Sequence, residues 1–575
     1  MQLHFRTPLL MAITATLVLA SCSKSNKVGR MVPKEAGFVM HINGKSLSGK
    51  INMAEFKQTD LYKQVTEEFK ADSSQSDFMN KLKDYNQNIG IDSLSDFVFF
   101  ADNSNKDASY FIMQAGMKDA GSFEKFLKSV YPQGSISKEN GLQVMTVENK
   151  AVMTWNNDKV IVGFVAPQMR DYIPPGDNGN EENLRMPQVA TYCKNLYTLK
   201  EDNSLAKEDK FTDMVNTEGD VHAWVNYEKL ISNLPDMGML SMMKTDNFLT
   251  GNITAYTLNF ENGKIALKSK GYAGKELNAL LKKYSGGNVN TAMLKNIPSK
   301  DIVGVLALHF DPEGLKELVK LSGMDGFIDI FLGLKGFTID DFINANKGDV
   351  MVAVSDLSMK KDSTSYEDIH GRITVSSSYD KPDAKFIFSA AIKDKDAFAK
   401  MINFAKKEGG DLGSKEINYN SNKDYFAIGN STELISRYLA GGSNNDLPFI
   451  SKLSSSPIGM YIDLQKILKI LASRDEKDSI TKKITEASVK MWENVILNGG
   501  DYSGGGINQT LEVNLIDKNT NSLKQLFTYG LTMAALEKER QKIYLADVEE
   551  VKVPELDKVS VDKTVPVQPK INRKK

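Results

Sequence analysis

The chain has 575 residues, and its 72 Lys and Arg against 73 Asp and Glu leave a formal net charge of −1. This balance argues against a nucleic-acid-binding protein, which needs a basic face. The length is enough for several domains with their own cores. With only two cysteines, Cys22 and Cys193, stability is expected to come from packing rather than from disulfides.

The first 21 residues have the pattern of a bacterial signal peptide. Arg6 supplies positive charge, and residues 9–20 form an apolar run that is too short to span a bilayer. The following Ser21-Cys22 ends a stretch that resembles a lipobox, which implies cleavage before Cys22 and lipid, such as palmitate, on that cysteine. The alternative is an ordinary secretory signal with a cysteine there by chance. Acyl chains on Cys22 would anchor the protein firmly in a membrane.

The residues after Cys22 bear on which side of the membrane the protein faces. They read Ser-Lys-Ser-Asn-Lys, and residues 22–32 are interpreted as a tether. Surface-exposed lipoproteins of some Gram-negative bacteria carry an acidic tract at this place, which this chain lacks. We therefore expect a lipid anchor in the outer membrane and a protein that faces the periplasm.

Four short apolar runs end in Asn or Asp and continue into helical patterns. At such a junction the side-chain oxygen can accept a hydrogen bond from the free N–H groups of the first helical turn. The sequence therefore predicts four N-caps at equivalent places: Asn43, Asn226, Asp311 and Asp463.

The first junction contains Gly44-Lys45-Ser46, the last three residues of a phosphate-binding loop. Such a loop also needs a glycine five positions before Gly44, and Val39 stands there instead. The matching junction at Asp311 has no lysine. The sequence therefore argues against a nucleotide site, and no cofactor is expected.

Matched patterns along the chain indicate an internal duplication. Residues 111–113 with Phe123 correspond in spacing to residues 386–388 with Phe398, and residues 158–163 correspond to 424–429. The predicted fold is α+β: two homologous halves at 33–290 and 291–535, each with largely antiparallel sheets covered by helices on one face. Residues 536–575 are expected to form a helix end and a poorly ordered tail, with an added edge strand as the alternative.

Within the first half, periodicity predicts individual elements. Strands are expected at 97–101, 110–117 and 143–147, and helices at 61–70, 78–85 and 123–130. A hairpin is expected at 254–268, because Asn262-Gly263 readily takes the positive φ angles of a two-residue turn. Its counterpart is expected at 510–516, closed by 517–521.

His41 and His309 are the main candidates for a metal or ligand site. Each lies two residues before a cap, so it shares a strand face with that cap. If the halves pack about a pseudo-twofold axis, the two histidines could meet. The alternative, a structural histidine at a bulky packing position, is favoured because Trp224 and Tyr461 take the same place in the other junctions.

Other chemical motifs are weak. The oxygen-rich stretch 177–182 lacks the spacing of an EF-hand calcium loop and is expected to be a solvated loop. Ser122 begins an S-x-x-K motif, but the repeat has Ala397 instead, and Cys193 is expected to be a buried apolar residue. The remaining candidates are an adaptable apolar surface or core at Met237, Met239, Met242 and Met243, and a bend at 504–506.

The lipobox, the stretch Val-Pro-Lys-Glu-Ala at 32–36 and the stretch His-Ile-Asn-Gly-Lys-Ser at 41–46 together resemble a known family. It is an uncharacterised lipoprotein family, a domain of unknown function, common in gut Gram-negative commensals. The resemblance implies location and architecture and supplies no catalytic residues.

The expected function is therefore a lipid-anchored envelope scaffold or binding module with a possible envelope protein partner. The alternatives are an envelope hydrolase whose active site is assembled from distant segments, and a carrier of a hydrophobic ligand.

Overall fold

The structure is a computed structural model, which describes residues 28–51, 89–103, 109–147, 151–166, 180–231, 244, 246–367, 373–409, 417–441, 443, 446–473 and 478–550. Cys22 and the predicted helices at 61–70 and 78–85 lie outside these residues. Within them, no helix is long and apolar enough to cross a membrane.

The first part of the chain alternates strands and helices. Its strands are β1 (Ala36–Asn43), β2 (Ile91–Asp92), β3 (Asp96–Asp102), β4 (Ser109–Met117), β5 (Ile136–Glu139), β6 (Leu142–Val147), β7 (Ala151–Trp155), β8 (Lys159–Ala166), β9 (Val221–Asn226), β10 (Ile253–Glu261) and β11 (Lys264–Tyr272). Its helices are α1 (Gly44–Ser48), α2 (Ala120–Val130), α3 (Asn180–Tyr197), α4 (Asp209–Asn216), α5 (Tyr227–Ile231), α6 (Asp246–Leu249), α7 (Lys275–Tyr284) and α8 (Thr291–Lys295).

The second part has the same mixed character. Its strands are β12 (Ile302–His309), β13 (Asn346–Glu367), β14 (Ile373–Ile392), β15 (Asn418–Ser421), β16 (Tyr425–Gly429), β17 (Ile458–Ile462), β18 (Trp492–Ser503) and β19 (Gly506–Leu515). Its helices are α9 (Pro312–Ser322), α10 (Asp325–Gly333), α11 (Ile339–Ala345), α12 (Lys395–Gly409), α13 (Thr432–Ala440), α14 (Ile450–Leu453), α15 (Leu464–Ala472), α16 (Ser479–Met491) and α17 (Ser522–Glu550). The α+β prediction is confirmed.

The strands pair antiparallel in one continuous series. The order of neighbours is β5–β6–β7–β8–β4–β3–β1–β9–β10–β11–β19–β18–β17–β12–β13–β14–β16–β15, and β2 pairs with the end of β4. The two parts meet where β11 pairs with β19, from Lys264 opposite Asn514 to Gly271 opposite Ile507. Backbone hydrogen bonds therefore tie the two parts into a single sheet.

Helices cover both faces of the sheet in the first part, so the prediction of one covered face is wrong. In β3, Phe97 and Phe99 pack in the cluster that contains Phe123 of α2. The intervening Val98 and Phe100 pack in a different cluster, with residues of α3 and α4. Both sets of alternate residues are apolar, which is the pattern of a strand buried on two sides.

All four predicted N-caps are confirmed. The side chains of Asn43, Asn226, Asp311 and Asp463 each accept a hydrogen bond from a backbone N–H two or three residues later. These caps end β1, β9, β12 and β17, and they begin α1, α5, α9 and α15. The local rule was sufficient because a cap depends only on residues adjacent in sequence.

Two hairpin predictions need correction in detail. The hairpin of β10 and β11 forms, but only Gly263 has a positive φ, +63°, and Asn262 does not. The turn is held from outside, since the N–H of Gly263 donates to the carbonyl of Thr520. The predicted counterpart at 510–516 instead belongs to β19, which pairs with β18 through the turn at Gly504 and Gly505.

Residues 517–521 therefore lead into α17 rather than closing a hairpin. This helix continues to Glu550, and the rest of the predicted tail, from residue 551 onward, lies outside the described residues.

Candidate functional site: two histidine–aspartate positions

His41 lies against a second histidine. It stands directly opposite His222 where β1 pairs with β9, and their Nδ1 atoms are 3.0 Å apart. The rings are nearly parallel, with an interplanar angle of 9° and centroids 5.2 Å apart. The two residues are only 3% and 1% exposed, so the pair belongs to the interior.

The outer nitrogens of the pair determine its protonation. Nε2 of His222 is 2.9 Å from the carbonyl oxygen of Thr217, which can only accept, so this nitrogen donates. Nε2 of His41 is 3.0 Å from Oδ1 of Asp96, and an ionised carboxylate also only accepts. Both outer nitrogens therefore face acceptors, and the two Nδ1 atoms lie within hydrogen-bond distance of each other.

The pKa of His222 decides which ring accepts at the contact between the two Nδ1 atoms. Burial lowers the pKa of His222, and the neighbouring His41 lowers it further. His222 is therefore the neutral member, and its Nδ1 accepts from the Nδ1–H of His41. The array Asp96–His41–His222–Thr217 links the three neighbouring strands β3, β1 and β9. With both rings buried, it is suited to bracing the sheet.

Asp220 explains the Gly44-Lys45-Ser46 stretch. This aspartate is fully buried, and its two carboxylate oxygens accept from the Ser46 hydroxyl at 2.6 Å and from Nζ of Lys50 at 2.5 Å. The backbone N–H of Phe260 donates to the same carboxylate at 2.6 Å. The serine hydroxyl is thus committed to an internal carboxylate, and the loop packs against protein where a phosphate would need to lie.

His309 has a different environment at the matching place. Its Nδ1 is 2.8 Å from Oδ1 of Asp349, which stands directly opposite it where β12 pairs with β13. The other oxygen of Asp349 accepts weakly from Asn290, at 3.4 Å. The His309 side chain is 25% exposed.

An open cleft of about 550 Å³ lies beside His309. Three lysines, Lys283, Lys347 and Lys393, line it together with Asp311. Nε2 of His309 lies against the backbone of Gly287, where an added Cβ would come within 2.2 Å of that nitrogen. The cleft can therefore receive a solvent-borne molecule, but Nε2 partly faces the main chain.

The structure does not bring His41 and His309 together. Six strands, β9, β10, β11, β19, β18 and β17, stand between β1 and β12 in the sheet. In the part of the chain that the structure describes, no group of three or more His, Cys, Asp or Glu side chains is arranged to hold a metal.

Comparison with known proteins places the chain in a family. A family model described as a domain of unknown function, DUF4836, matches residues 29–439. The chain belongs to this family. The matched region crosses the proposed boundary at residue 290 and ends at α13. The predicted resemblance to a family of unknown function is thereby confirmed.

Other comparisons add no function. A search among curated proteins gave no match. Among solved structures, the chain is similar to crystal forms I and IV of TP0453, at 9% and 10% identity. These alignments cover 44% and 43% of this chain and 80% and 81% of the other, with TM-scores of 0.23 and 0.24. Similarities at this level indicate neither a shared fold nor an activity.

The other candidate site residues from the sequence either have structural roles or lie outside the described residues. Burial raises the pKa of the Cys193 thiol to about 12, so this thiol stays protonated and unreactive. Ser122 donates from both its N–H and its hydroxyl to Asp119, at the start of α2. The side chains of the stretch 177–182 and of the four clustered methionines lie outside the described residues.

The sequence analysis missed His222, Asp96 and Asp220 as functional neighbours. His222 lies four residues before its cap, whereas His41 lies two before its own. Because these distances differ, the caps did not indicate that the two histidines are neighbours. Only the register of β1 against β9 puts the rings face to face.

Proposed function

We propose that the protein is a lipid-anchored component of the cell envelope, held in the outer membrane through Cys22 and facing the periplasm. In this proposal it is a non-enzymatic scaffold or binding module. The observation that carries the binding role is a two-stranded arm formed by the outer parts of β13 and β14.

The arm extends beyond the rest of the sheet. β12 pairs with β13 only as far as Ser355, and β16 pairs with β14 only over 387–391. β13 and β14 continue to pair with each other from Ser358 opposite Asp383 to Glu367 opposite Ile373. At about 3.3 Å per residue, ten residues reach roughly 33 Å.

Such an arm favours a partner for two reasons. A ribbon of two strands alone is only marginally stable in water, so added contacts would stabilise it. Among the described strands, none besides β13 and β14 themselves pairs with the arm from Ser358 to Glu367, so another chain could add a strand at its edges. The exposed pairs Lys360–Asp383 and Lys381–Asp362 make the surface charged, and charged edge residues protect against unspecific strand addition. We therefore propose a specific envelope protein as the partner.

The internal duplication also remains a proposal. The order β8–β4–β3–β1–β9–β10–β11 in the first part corresponds to β16–β14–β13–β12–β17–β18–β19 in the second. Matched caps at the ends of β1, β9, β12 and β17 support the same interpretation. In a scaffold, two such halves joined at β11 and β19 would form one broad platform.

Crosslinking in intact cells tests the binding role. The tagged chain is compared with a variant in which an Asn-Gly turn replaces residues 359–382, so that Ser358 and Asp383 close a short hairpin. We expect one abundant envelope protein with the full arm and its loss with the short one. The matched control is Asn140→Gly in the β5–β6 turn, where φ is already +49°. A partner that persists with the short arm would contradict this role.

Two measurements test the anchor and its direction. Cys22→Ser should abolish acyl labelling and release the protein from membranes. Protease added to intact cells should leave the protein whole, and digestion without lysis would exclude the periplasmic orientation.

One observation favours an envelope hydrolase as a second candidate. The Asp349–His309 pair borders an open cleft, and a histidine oriented by a carboxylate is the arrangement of a general base. Ester and amide substrates should then be hydrolysed by the purified chain and not by His309→Ala. Equal rates for both would remove this candidate.

A further inference from the structure

The helix α10 exposes an apolar face. Phe327, Ile330 and Phe331 of this helix and Leu334 directly after it are 57%, 68%, 54% and 81% exposed. Their spacing of three and four residues places them on one side of the helix. The rings of Phe327 and Phe331 stack, with an interplanar angle of 10°. The exposure is therefore a single continuous patch.

The residues before and after α10 show that only this helix leaves its apolar side chains exposed. Phe337, three residues after Leu334, is buried and stacks on Phe404 of α12 at 4.6 Å. On the other side, α9 ends at Gly323 with φ +73°, which turns the chain sharply into α10. Both ends of α10 are thus fixed to the body, and the helix presents its phenylalanines outward.

The size of the patch favours a lipid surface over a protein. At about 200 Å² for each fully exposed large side chain, the four expose roughly 500 Å². A stable interface between two proteins, or between two copies of this chain, needs about 800 Å² on each partner. A few bulky apolar side chains are enough, in contrast, to enter the boundary between headgroups and acyl chains.

The surrounding charges indicate how the lipid would be recognised. The lysines Lys316 and Lys320 of α9 and Lys335, directly after Leu334, each form an ion pair, with Asp340, Glu317 and Glu408 respectively. The acids Asp325 and Asp329 lie on α10 itself. The area therefore has no excess of positive charge, and anionic lipid is not required.

We propose that α10 inserts Phe327, Ile330, Phe331 and Leu334 into the surface of a lipid bilayer. This inference rests on the proposed lipid anchor, which keeps the protein beside a membrane. α10 adds a second contact, which fixes the orientation of the sheet against that membrane.

The second contact has a consequence for the arm. α9 and α10 follow the end of β12, where His309 stands opposite Asp349 near the start of β13. The arm lies at the other end of β13, beyond Ser358. A bilayer at α10 and a partner at the arm would therefore contact segments that join opposite ends of β13.

The test uses the mature chain with Cys22→Ser, so that vesicle binding does not depend on acylation. Flotation with phosphatidylcholine vesicles should show binding that changes little with salt. In the variant Phe327→Ser with Phe331→Ser, the partition coefficient should fall by at least about tenfold, because several buried methylene equivalents are lost. The matched control is Leu471→Ser with Ile543→Ser, two residues of similar exposure on other helices.

Three outcomes would overturn the proposal. One is no flotation of the Cys22→Ser chain, and another is equal flotation of the α10 variant. The third is a dimer in analytical ultracentrifugation that the α10 variant dissociates, since a second copy would then cover the patch. Acyl labelling of the wild-type chain is measured separately, so a failed anchor and a failed α10 contact are distinguishable.

Discussion

The two histidine positions have the same local sequence pattern and different surroundings. His41 and His309 each lie two residues before a helix cap and each contacts an aspartate from the next strand. His41 also contacts His222 in a buried pair, whereas His309 borders an open cleft. Both histidines therefore contact a carboxylate, and the surroundings on the other side decide whether the ring is buried.

The difference comes from the strand on the other side. β9 presents His222 opposite His41, and the place four residues before the cap of β17 is Gly459. Gly459 stands opposite Ala307, and the backbone of Leu453 lies where a side chain at 459 would need to be. Beside His309 itself stands Pro457, directly before β17, whose carbonyl accepts from the His309 N–H. Neither Gly459 nor Pro457 has a ring nitrogen that could bond to His309 as His222 bonds to His41. Whether a histidine at this place joins a buried array therefore depends on the neighbouring strand, β9 or β17, and not on the histidine itself.

The largest effect is expected at Asp220, beside the buried array. Asp220→Ala leaves the Ser46 hydroxyl, the Lys50 ammonium and the Phe260 N–H without their common acceptor. Breaking a buried ion pair typically costs about 3–5 kcal/mol. Urea unfolding should show a loss of that order, and a loss below about 1 kcal/mol would contradict the account of this carboxylate.

His222→Ala should have the next largest effect. It removes the acceptor of the buried His41 Nδ1–H and leaves a cavity between β1 and β9. An unsatisfied buried donor costs about 1–3 kcal/mol, and the missing ring adds to this. The same urea experiment measures the change. An unfolding midpoint equal to that of wild type would mean that the pair does not brace the sheet.

The limits of prediction follow from the same residues. Asn43, Asn226, Asp311 and Asp463 were predicted as caps because each acts on N–H groups two or three residues away. His222 was not predicted as the neighbour of His41, because their contact depends on a strand register between residues 181 positions apart in sequence.

The hairpin turn shows the same limit. Asn262-Gly263 was predicted correctly as a turn, but its exact conformation depends on a hydrogen bond to the distant Thr520. Local chemistry thus determines where elements start and end. The contacts between elements determine the site.

Acidification should destabilise the protein through His222. Burial lowers the pKa of His222, with Asp220 and Asp96 opposing that shift and His41 adding to it. The folded state therefore keeps His222 neutral, while the unfolded chain takes up a proton below its usual pKa of about 6.5. The contribution of His222 to the free energy of unfolding is fully present above about pH 6.5. It is lost as the pH falls from there toward the lowered pKa of the folded state.

The measurement is the unfolding midpoint in urea at about pH 7.5 and 5.5, on either side of that unfolded pKa. Wild type should lose more stability on acidification than His222→Gln, which cannot take up the proton. Equal pH dependence of wild type and His222→Gln would show that His222 is not held neutral.

The smallest effect is expected at His309. His309→Ala removes a partly exposed ring whose partner Asp349 still accepts from Asn290. A partly exposed polar contact contributes little because water can replace it, so the unfolding free energy should change by less than about 1 kcal/mol. Gly287→Ala sharpens this test, because its Cβ would displace the ring from the backbone and the positive φ of +88° adds strain. If the ring matters little, adding His309→Ala to Gly287→Ala should remove the clash and restore part of the lost unfolding free energy. Only the cost of the positive φ should then remain. A loss in His309→Ala as large as that in His222→Ala would mean that the open position braces the sheet as strongly as the buried one.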